Sequence, residues 1–176
     1  MNYLIGLMTF AFASGQSVSL TVYPGSVLPG GTATLTLTYN DASPTANVAA
    51  IQWQLAIPAT LSAEVPVAGD EAIATNKVIS YNTVNGYTIL AGTGKPLNAT
   101  PMTSGVLATI LVTAPLNAGS GVRTIGFGSD LPLLGAGPNG DAVTISGGSV
   151  TLTVLSRVRD RRPFFAASTR RIPHEP

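Results

Sequence analysis

The sequence predicts an all-β domain, a two-sheet antiparallel β-sandwich of about eight or nine strands. Three observations indicate this class. Charged residues are only 10% of the 176 residues, and the turn formers glycine and proline occur 19 and 13 times. Short runs of alternating apolar and polar residues recur between the turn formers, as strands with one buried face require. In addition, no long stretch shows the ~3.6-residue apolar period of a packed helix.

The alternating runs predict the strands one after another. The first begins at Ser17 and ends at the Pro24-Gly25 turn. An Asn-Gly pair, Asn85-Gly86, is typical of the turn in a β-hairpin. In chain order the predicted strands are SVSLTVY, TATLTLTYN, AAIQWQLAIP, NKVISYNTV, GYTILAG, GVLATILVT, GVRTIGFGS and GGSVTLTVL. The longer connections, residues 61–76, 92–104 and 129–141, are candidate binding loops.

The only tryptophan, Trp53, bears on whether the chain binds sugars. Trp53 shares a strand face with Ile51 and Leu55, while Gln52 and Gln54 point the other way. Aliphatic neighbours on the same face are typical of a core, so Trp53 is predicted to be buried and not to stack on a sugar ring. No two other aromatic residues pair at i, i+2 spacing on an exposed face. The predicted core residues are Leu35, Leu37, Ile51, Trp53, Leu55, Leu107, Ile110, Val112, Val150 and Leu152.

The chain divides into three predicted regions, residues 1–15, 16–155 and 156–176. The first contains a short apolar run that fits a secretory signal, with a cleavage pattern at Ala11-Phe12-Ala13, and fits equally a retained arm that docks on the domain or a neighbour. A membrane span takes about 20 apolar residues, so no transmembrane segment is predicted. The middle region is the sandwich, with three basic and six acidic residues. The last carries six arginines against two acids and is predicted to be disordered.

The sequence has no pattern typical of an enzyme. It contains no cysteine, and its single histidine, His174, lies in the predicted tail, so the domain cannot hold a Ser-His-Asp triad. The adjacent acids Asp70 and Glu71 are predicted to lie in a solvated turn and not to act as a catalytic pair. The glycine-rich stretch from Gly135 lacks the strand–helix context of a phosphate-binding loop. We therefore expect a non-catalytic domain.

Weaker patterns concern ions, modification and nucleic acid. Asn40, Asp41, Asn139 and Asp141 place oxygen ligands in turns, as calcium sites do, although ordinary Asx turns use the same residues. No other cofactor has candidates. Asn98-Ala99-Thr100 fits the N-glycosylation pattern, which has meaning only in a glycosylating secretory pathway. The arginine-rich tail can contact phosphates or an acidic partner, but no motif for specific nucleic-acid recognition is present.

Four stretches of the sequence resemble the cohesin domain and the related cellulose-binding modules, which share a jelly-roll sandwich. They are VLPGGTATLTLTYND, AAIQWQLAIPATLSAEV, SGVLATILVTAP and GGSVTLTV. The third resembles a Gly-x-Leu-Ala-Thr-Ile/Leu-x-Phe strand of the family, with Val112 in place of the phenylalanine. The resemblance extends over residues 17–155 and implies a cohesin-like jelly roll. It also implies a protein-binding role, because cohesins bind dockerins through one sheet face.

These patterns together predict a non-catalytic binding module, extracellular or surface-associated, that recognises a protein or a polysaccharide. A protein partner is favoured over a polysaccharide, because the sequence predicts no set of exposed aromatic side chains on which sugar rings could stack. The alternative is a structural building block of a surface filament or a virion, which self-assembles through its terminal extensions. The patterns single out no partner-binding residue.

Overall fold

The computed structural model describes residues 15–42, 47–93 and 98–157. The predictions of a signal or arm at residues 1–14 and of a disordered tail beyond Arg157 lie outside the described residues. Across the described residues the chain forms fourteen strands and one short helix. They are β1 Ser17–Tyr23, β2 Ser26–Val27, β3 Thr32–Asn40, β4 Ala50–Ala56, β5 Ser62–Ala63, β6 Val67–Ala68, α1 Asp70–Ala74, β7 Lys77–Asn82, β8 Tyr87–Gly92, β9 Gly105–Thr113, β10 Gly121–Phe127, β11 Leu134–Ala136, β12 Ala142–Thr144, β13 Ser146–Gly147 and β14 Val150–Val154.

The strands form two sheets. The smaller sheet has six strands in the order β13-β1-β3-β9-β5, with β6 also pairing with β9. The larger sheet has eight strands in the order β12-β11-β4-β10-β14-β2, with β8 pairing with β4 and β7 with β8. Strand pairing is antiparallel except between β1 and β13 and between β14 and β2. The predicted all-β, two-sheet class is confirmed.

The prediction of about eight or nine strands agrees with the number of long strands. It does not include the short strands. Each predicted run coincides with a strand of five or more residues: β1, β3, β4, β7, β8, β9, β10 and β14. The other strands have two or three residues, too few to show a period of two. Two of the predicted loops therefore contain structure, because residues 61–76 include β5, β6 and α1 and residues 129–141 include β11.

One buried cluster lies between the two sheets. Trp53 belongs to it and is fully buried, together with Ile51 on its own strand. Among the predicted core residues, Leu55 and Val150 are partly buried and pack against the cluster. The remaining predicted core residues are buried members of it: Leu35, Leu37, Leu107, Ile110, Val112 and Leu152.

A β-bulge explains the apolar pattern of β9. Leu37 pairs with Ala108 while the next residue of β3, Thr38, pairs with Val106, so Leu107 is an extra residue in the ladder. A bulge shifts the alternation of the strand by one residue. Leu107 and Ala108 are therefore both fully buried, although they are neighbours in sequence. Further along the strand, Leu111 points outward and is exposed.

Candidate functional site

The strand register determines which side chains of β4, β7, β8 and β11 point away from the core. Ile51 lies between Leu90 and Gly135 in the ladder, and all three are buried, so the residues before and after them face outward. We call this outer surface the uncharged face. Its side chains are Ala50, Gln52, Gln54, Val78, Ser80, Asn82, Tyr87, Ile89, Ala91, Leu134 and Ala136. None of them carries a charge.

Exposed aliphatic side chains lie in the middle of the uncharged face. Gln52 pairs with Ile89 on one side and Leu134 on the other, so the two apolar residues flank it across three strands. Ile89 is 45% exposed, Leu134 38% and Val78 48%. Ile89 and Leu134 also line a shallow depression of about 90 Å³. Protein interfaces have such centres, with apolar contact area and few charges.

The two glutamines of this face are tied to neighbouring loops. Gln54 donates from Nε2 to the carbonyl oxygen of Asn85 at 3.0 Å, and Gln52 donates to that of Pro132 at 3.4 Å. These bonds hold both carboxamides to loops beside the sheet. Ile89 and Leu134, on either side of Gln52, remain exposed.

A second depression lies at the edge of the same face. Tyr81 and Tyr87 both line it, with Ser80, Asn82 and Ile89, and its volume is about 300 Å³. The two tyrosines belong to opposite faces of the β7–β8 hairpin, since Tyr81 pairs with buried Thr88 and Tyr87 pairs with Asn82, so they do not form an aromatic platform. Trp53 points to the opposite side of the sheet and contributes nothing to this surface.

The outer face of the smaller sheet is different in chemistry. Thr32, Thr34, Thr36 and Thr38 project outward from β3, since the residues between them are buried. Neighbouring strands add further hydroxyl groups to this threonine face. Exposed Leu111 is the apolar exception on β9. Hydroxyl groups exposed in this way remain hydrated, so the threonine face is a less favourable centre for docking than the uncharged face.

A buried polar network closes the sandwich where β1 begins. Tyr39 donates its hydroxyl to Oε1 of Gln16 at 2.7 Å, and Nε2 of Gln16 donates to Asp41 at 2.7 Å. Burial, and secondly the charge of Asp41, raise the pKa of Tyr39 well above its usual range. The Asp41 backbone N–H donates to Ser104 Oγ at 2.8 Å. This network connects β1, β3 and the loop before β9.

The four calcium candidates fall on different sheets. Asn40 ends β3 and donates to Ser19 Oγ at 3.3 Å, and Asp41 belongs to the network with Gln16. Asn139 and Asp141 lie in the turn between β11 and β12. Within the described parts of the chain, no group of three or more His, Asp or Glu side chains is placed to hold a metal ion. Calcium binding by these residues remains a prediction.

The structure corrects the prediction of a solvated Asp70-Glu71 turn. These residues begin α1, and Glu71 is buried whereas Asp70 is exposed. Oε1 of Glu71 accepts the Thr103 backbone N–H at 2.6 Å, and Oε2 accepts the Thr103 hydroxyl at 3.1 Å. Glu71 thus clamps the loop before β9 to the helix. The tertiary contact with Thr103 is not visible in the local sequence.

The Asn98 glycosylation pattern coincides with a structural contact. Asn98 donates from Nδ2 to the carbonyl oxygens of Thr75 and Asn76 at 2.9 and 3.2 Å, and its Oδ1 accepts the Thr100 N–H at 2.9 Å. Its own carbonyl oxygen accepts a bond from Lys77 Nζ at 3.0 Å. In the folded domain the amide of Asn98 is therefore already bonded. Burial lowers the pKa of Lys77 below its ordinary value.

Comparison with known proteins identifies the architecture. No family model and no curated protein matches the sequence. The third ScaB cohesin of R. flavefaciens, solved in complex with a group 1 dockerin, superposes with a TM-score of 0.62 at 17% identity, covering 80% of this chain and 95% of that one. The fold is cohesin-like.

Two further structures give the same result for the cohesin-like domain. The cohesin module of a Clostridium perfringens family 33 glycoside hydrolase has a TM-score of 0.62 at 12% identity, covering 80% of this chain and 96% of that one. A non-cellulosomal cohesin from the archaeon Archaeoglobus fulgidus has a TM-score of 0.59 at 12% identity, covering 82% and 94%. At these identities the likeness establishes the fold, as the four resembling stretches predict. The described residues contain no helix with the length and hydropathy to cross a membrane.

Proposed function

We propose that this cohesin-like domain is a non-catalytic binding module, and that a protein partner docks on its uncharged face. The observation that carries the proposal is that Ile89 and Leu134 are exposed on either side of Gln52, on a sheet face without charges. Aliphatic side chains exposed in the middle of a sheet are hydrated unfavourably. A partner surface that covers them removes this unfavourable hydration. The rigid ladder beneath holds the face in one shape before binding.

A protein partner is favoured over a polysaccharide by the kind of side chain exposed. Sugar rings stack on exposed aromatic rings, whereas aliphatic side chains pack into protein surfaces. The centre of the uncharged face is aliphatic, and its one tyrosine, Tyr87, pairs with Asn82 of the outer strand β7. The dockerin bound to the R. flavefaciens cohesin is one example of a protein ligand for this fold.

The proposal extends to an extracellular or surface-associated setting. It rests on the apolar run in residues 1–15 and its Ala11-Phe12-Ala13 cleavage pattern. Mass spectrometry of the mature chain and fractionation of the source cells test it. Cleavage after Ala13 with recovery outside the cell is the expected result, and an intact chain found only in the cytoplasm contradicts it.

The docking face is tested with a panel of dockerin modules, with and without calcium, and a panel of polysaccharides. Ile89→Asp and Leu134→Asp are expected to weaken binding of a protein ligand at least about tenfold, because each places a charge in the apolar centre. Thr36→Asp, on the threonine face, is the matched control and should bind as the wild type does. Binding that is lost in Thr36→Asp but kept in Ile89→Asp overturns the choice of face. Binding of polysaccharides alone, abolished by Tyr87→Ala, overturns the choice of partner.

A further inference from the structure

The two ends of the sandwich differ in charge. β1 begins beside the end of β3, where Ser17 pairs with Asn40, and we call this the N-terminal end. β14 ends beside β2, where Val154 pairs with Val27, and we call this the C-terminal end. The described chain therefore starts at one end and leaves from the other. An interface between these ends has a different occupant from the proposed partner protein, although at the N-terminal end it adjoins the uncharged face.

The described residues of the N-terminal end include exposed acids. Asp70 and Asp141 are exposed there, in α1 and in the β11–β12 turn, and Asp41 lies nearby in its bond to Gln16. In the described loops of this end, residues 40–42, 47–49, 69–76, 98–104 and 137–141, no lysine or arginine occurs. Lys77, at the start of β7, is buried. Among the described residues, the charge presented at this end is accordingly negative.

The N-terminal end also contains a recess of small residues next to Asp141. Its volume is about 220 Å³. Ala99 and Pro138 line it, and so do Ala50, Ala91 and Ala136 at the margin of the uncharged face. The recess opens beside the β11–β12 turn, in which the Gly137 N–H donates to the carbonyl oxygen of Asp141 at 2.8 Å. An apolar side chain seated in this recess would have a carboxylate beside it.

The C-terminal end presents the complementary features. Leu116 is 72% exposed and lines a groove of about 550 Å³ together with Leu155 and Arg157. Arg157 donates to the Pro29 carbonyl oxygen at 3.3 Å, which holds its guanidinium at this end. The described loops here, residues 23–31, 114–121 and 155–157, have Arg157 as their single charged residue. A protruding leucine beside an arginine matches an apolar recess beside an aspartate.

The distance between the two ends favours a contact between molecules over one within a molecule. The nine-residue strands β3 and β9 run between the ends, and a strand of this length spans about 27–30 Å. Leu116 and Arg157 at one end therefore cannot contact the recess and Asp141 at the other end of the same copy. They can contact those of a second copy stacked on the C-terminal end.

We infer that the chain associates head to tail, with Leu116 and Arg157 of one copy docking on the recess and Asp141 of the next. The two contacting surfaces differ, so the interface is heterologous and leaves a free end on each side of every pair. Such an interface gives linear chains of domains that grow with concentration. Salt weakens the association, because the charges that attract across it are exposed.

Sedimentation velocity of the full chain over a range of concentrations tests the inference. The wild type is expected to show a weight-average mass that rises above the 17.9 kDa monomer with concentration and falls on addition of salt. Leu116→Asp blocks the C-terminal end, and Pro138→Arg/Asp141→Arg blocks the N-terminal end. Each should raise the apparent dissociation constant at least about tenfold. Val67→Asp, at a 64% exposed site on the smaller sheet, should associate as the wild type does.

Mixing the two blocked variants gives the decisive result. Each retains one intact end, so the mixture is expected to form heterodimers and nothing longer, while each variant alone is monomeric. Arg157→Asp, which leaves Leu116 in place, is the second C-terminal variant if Leu116→Asp melts at a lower temperature than the wild type. A wild type that stays monomeric at every concentration overturns the inference. So does a mixture that stays monomeric, or blocked variants that associate like the wild type.

Discussion

Trp53 lies directly opposite Thr88 across the β4–β8 ladder, and both side chains are buried between the two sheets. The indole Nε1 of Trp53 has no hydrogen-bond partner among the described residues. The ring is therefore held by packing alone, within a cluster that includes Leu107 and Ile110. Its role is to fill the space between the sheets, beneath the uncharged face.

Removal of the Trp53 ring should therefore strongly destabilise the domain. Trp53→Ala is expected to cost about 3–5 kcal/mol, the usual range for emptying a buried aromatic site. Trp53→Phe should cost only about 1–2 kcal/mol, because it leaves a smaller void and removes a donor that has no partner. Thermal unfolding of the two variants measures the difference. Wild-type tryptophan emission should be blue-shifted, and red-shifted emission with an unchanged melting temperature for Trp53→Ala contradicts a core position.

Tyr39 should make the domain sensitive to alkali. Because the pKa of Tyr39 is raised by folding, the folded state keeps its phenolic proton after the unfolded state has lost it near the ordinary pKa of 10.0. Stability from this group is complete below pH 10.0 and is lost as the pH rises above it. Tyr39→Phe should cost about 1–3 kcal/mol at neutral pH, because Gln16 loses its donor.

Urea unfolding of wild type and Tyr39→Phe at neutral and at strongly alkaline pH measures this effect. The difference in the free energy of unfolding between wild type and Tyr39→Phe should become smaller in alkali. Only the wild type has a phenol, so only the wild type loses its contribution. A gap that is independent of pH shows that the phenol ionises equally in the folded and unfolded states.

Lys77 should have the opposite dependence on pH. Burial lowers the pKa of Lys77, so the folded state loses this proton at a lower pH than the unfolded state, whose ordinary value is 10.5. The stability of the wild type relative to Lys77→Met should rise with pH through the window below 10.5 and fall toward neutral pH, where burying the cation is unfavourable. Chemical denaturation of both proteins across this window gives the slope. A constant difference between them excludes an altered Lys77 pKa.

Gly92 should tolerate no side chain. A Cβ atom at Gly92 would overlap the Asn98 carbonyl oxygen, which also accepts the hydrogen bond from Lys77. Gly92→Ala is therefore expected to destabilise the domain by about 1–3 kcal/mol or more. Gly148→Ala is the matched control, because a Cβ there meets nothing within 4 Å, and its cost should be within about 0.5 kcal/mol. Equal melting temperatures for the two variants contradict the close approach of Asn98.

The burial of Glu71 could not be predicted from the sequence. Turn formers around Asp70 and Glu71 favour a solvated loop, and nothing local separates the two acids. The side chain of Glu71 is buried because Thr103, far along the chain, supplies two donors to its carboxylate. An isolated carboxylate is costly to bury, and only these partners make its position stable.

The sequence by itself determined the eight longer strands and, outside the bulge in β9, the side of each that faces the core. Successive side chains of a strand point to opposite faces, so alternation along the chain was enough to place Trp53 inside. Only the tertiary structure decided which strands are neighbours, because pairing joins residues that are distant in sequence. Ile89 and Leu134 lie on either side of Gln52 for this reason, and Leu107 and Ala108 are both buried because a bulge against β3 shifts their strand by one residue. The uncharged face and the two unlike ends of the sandwich are products of that pairing.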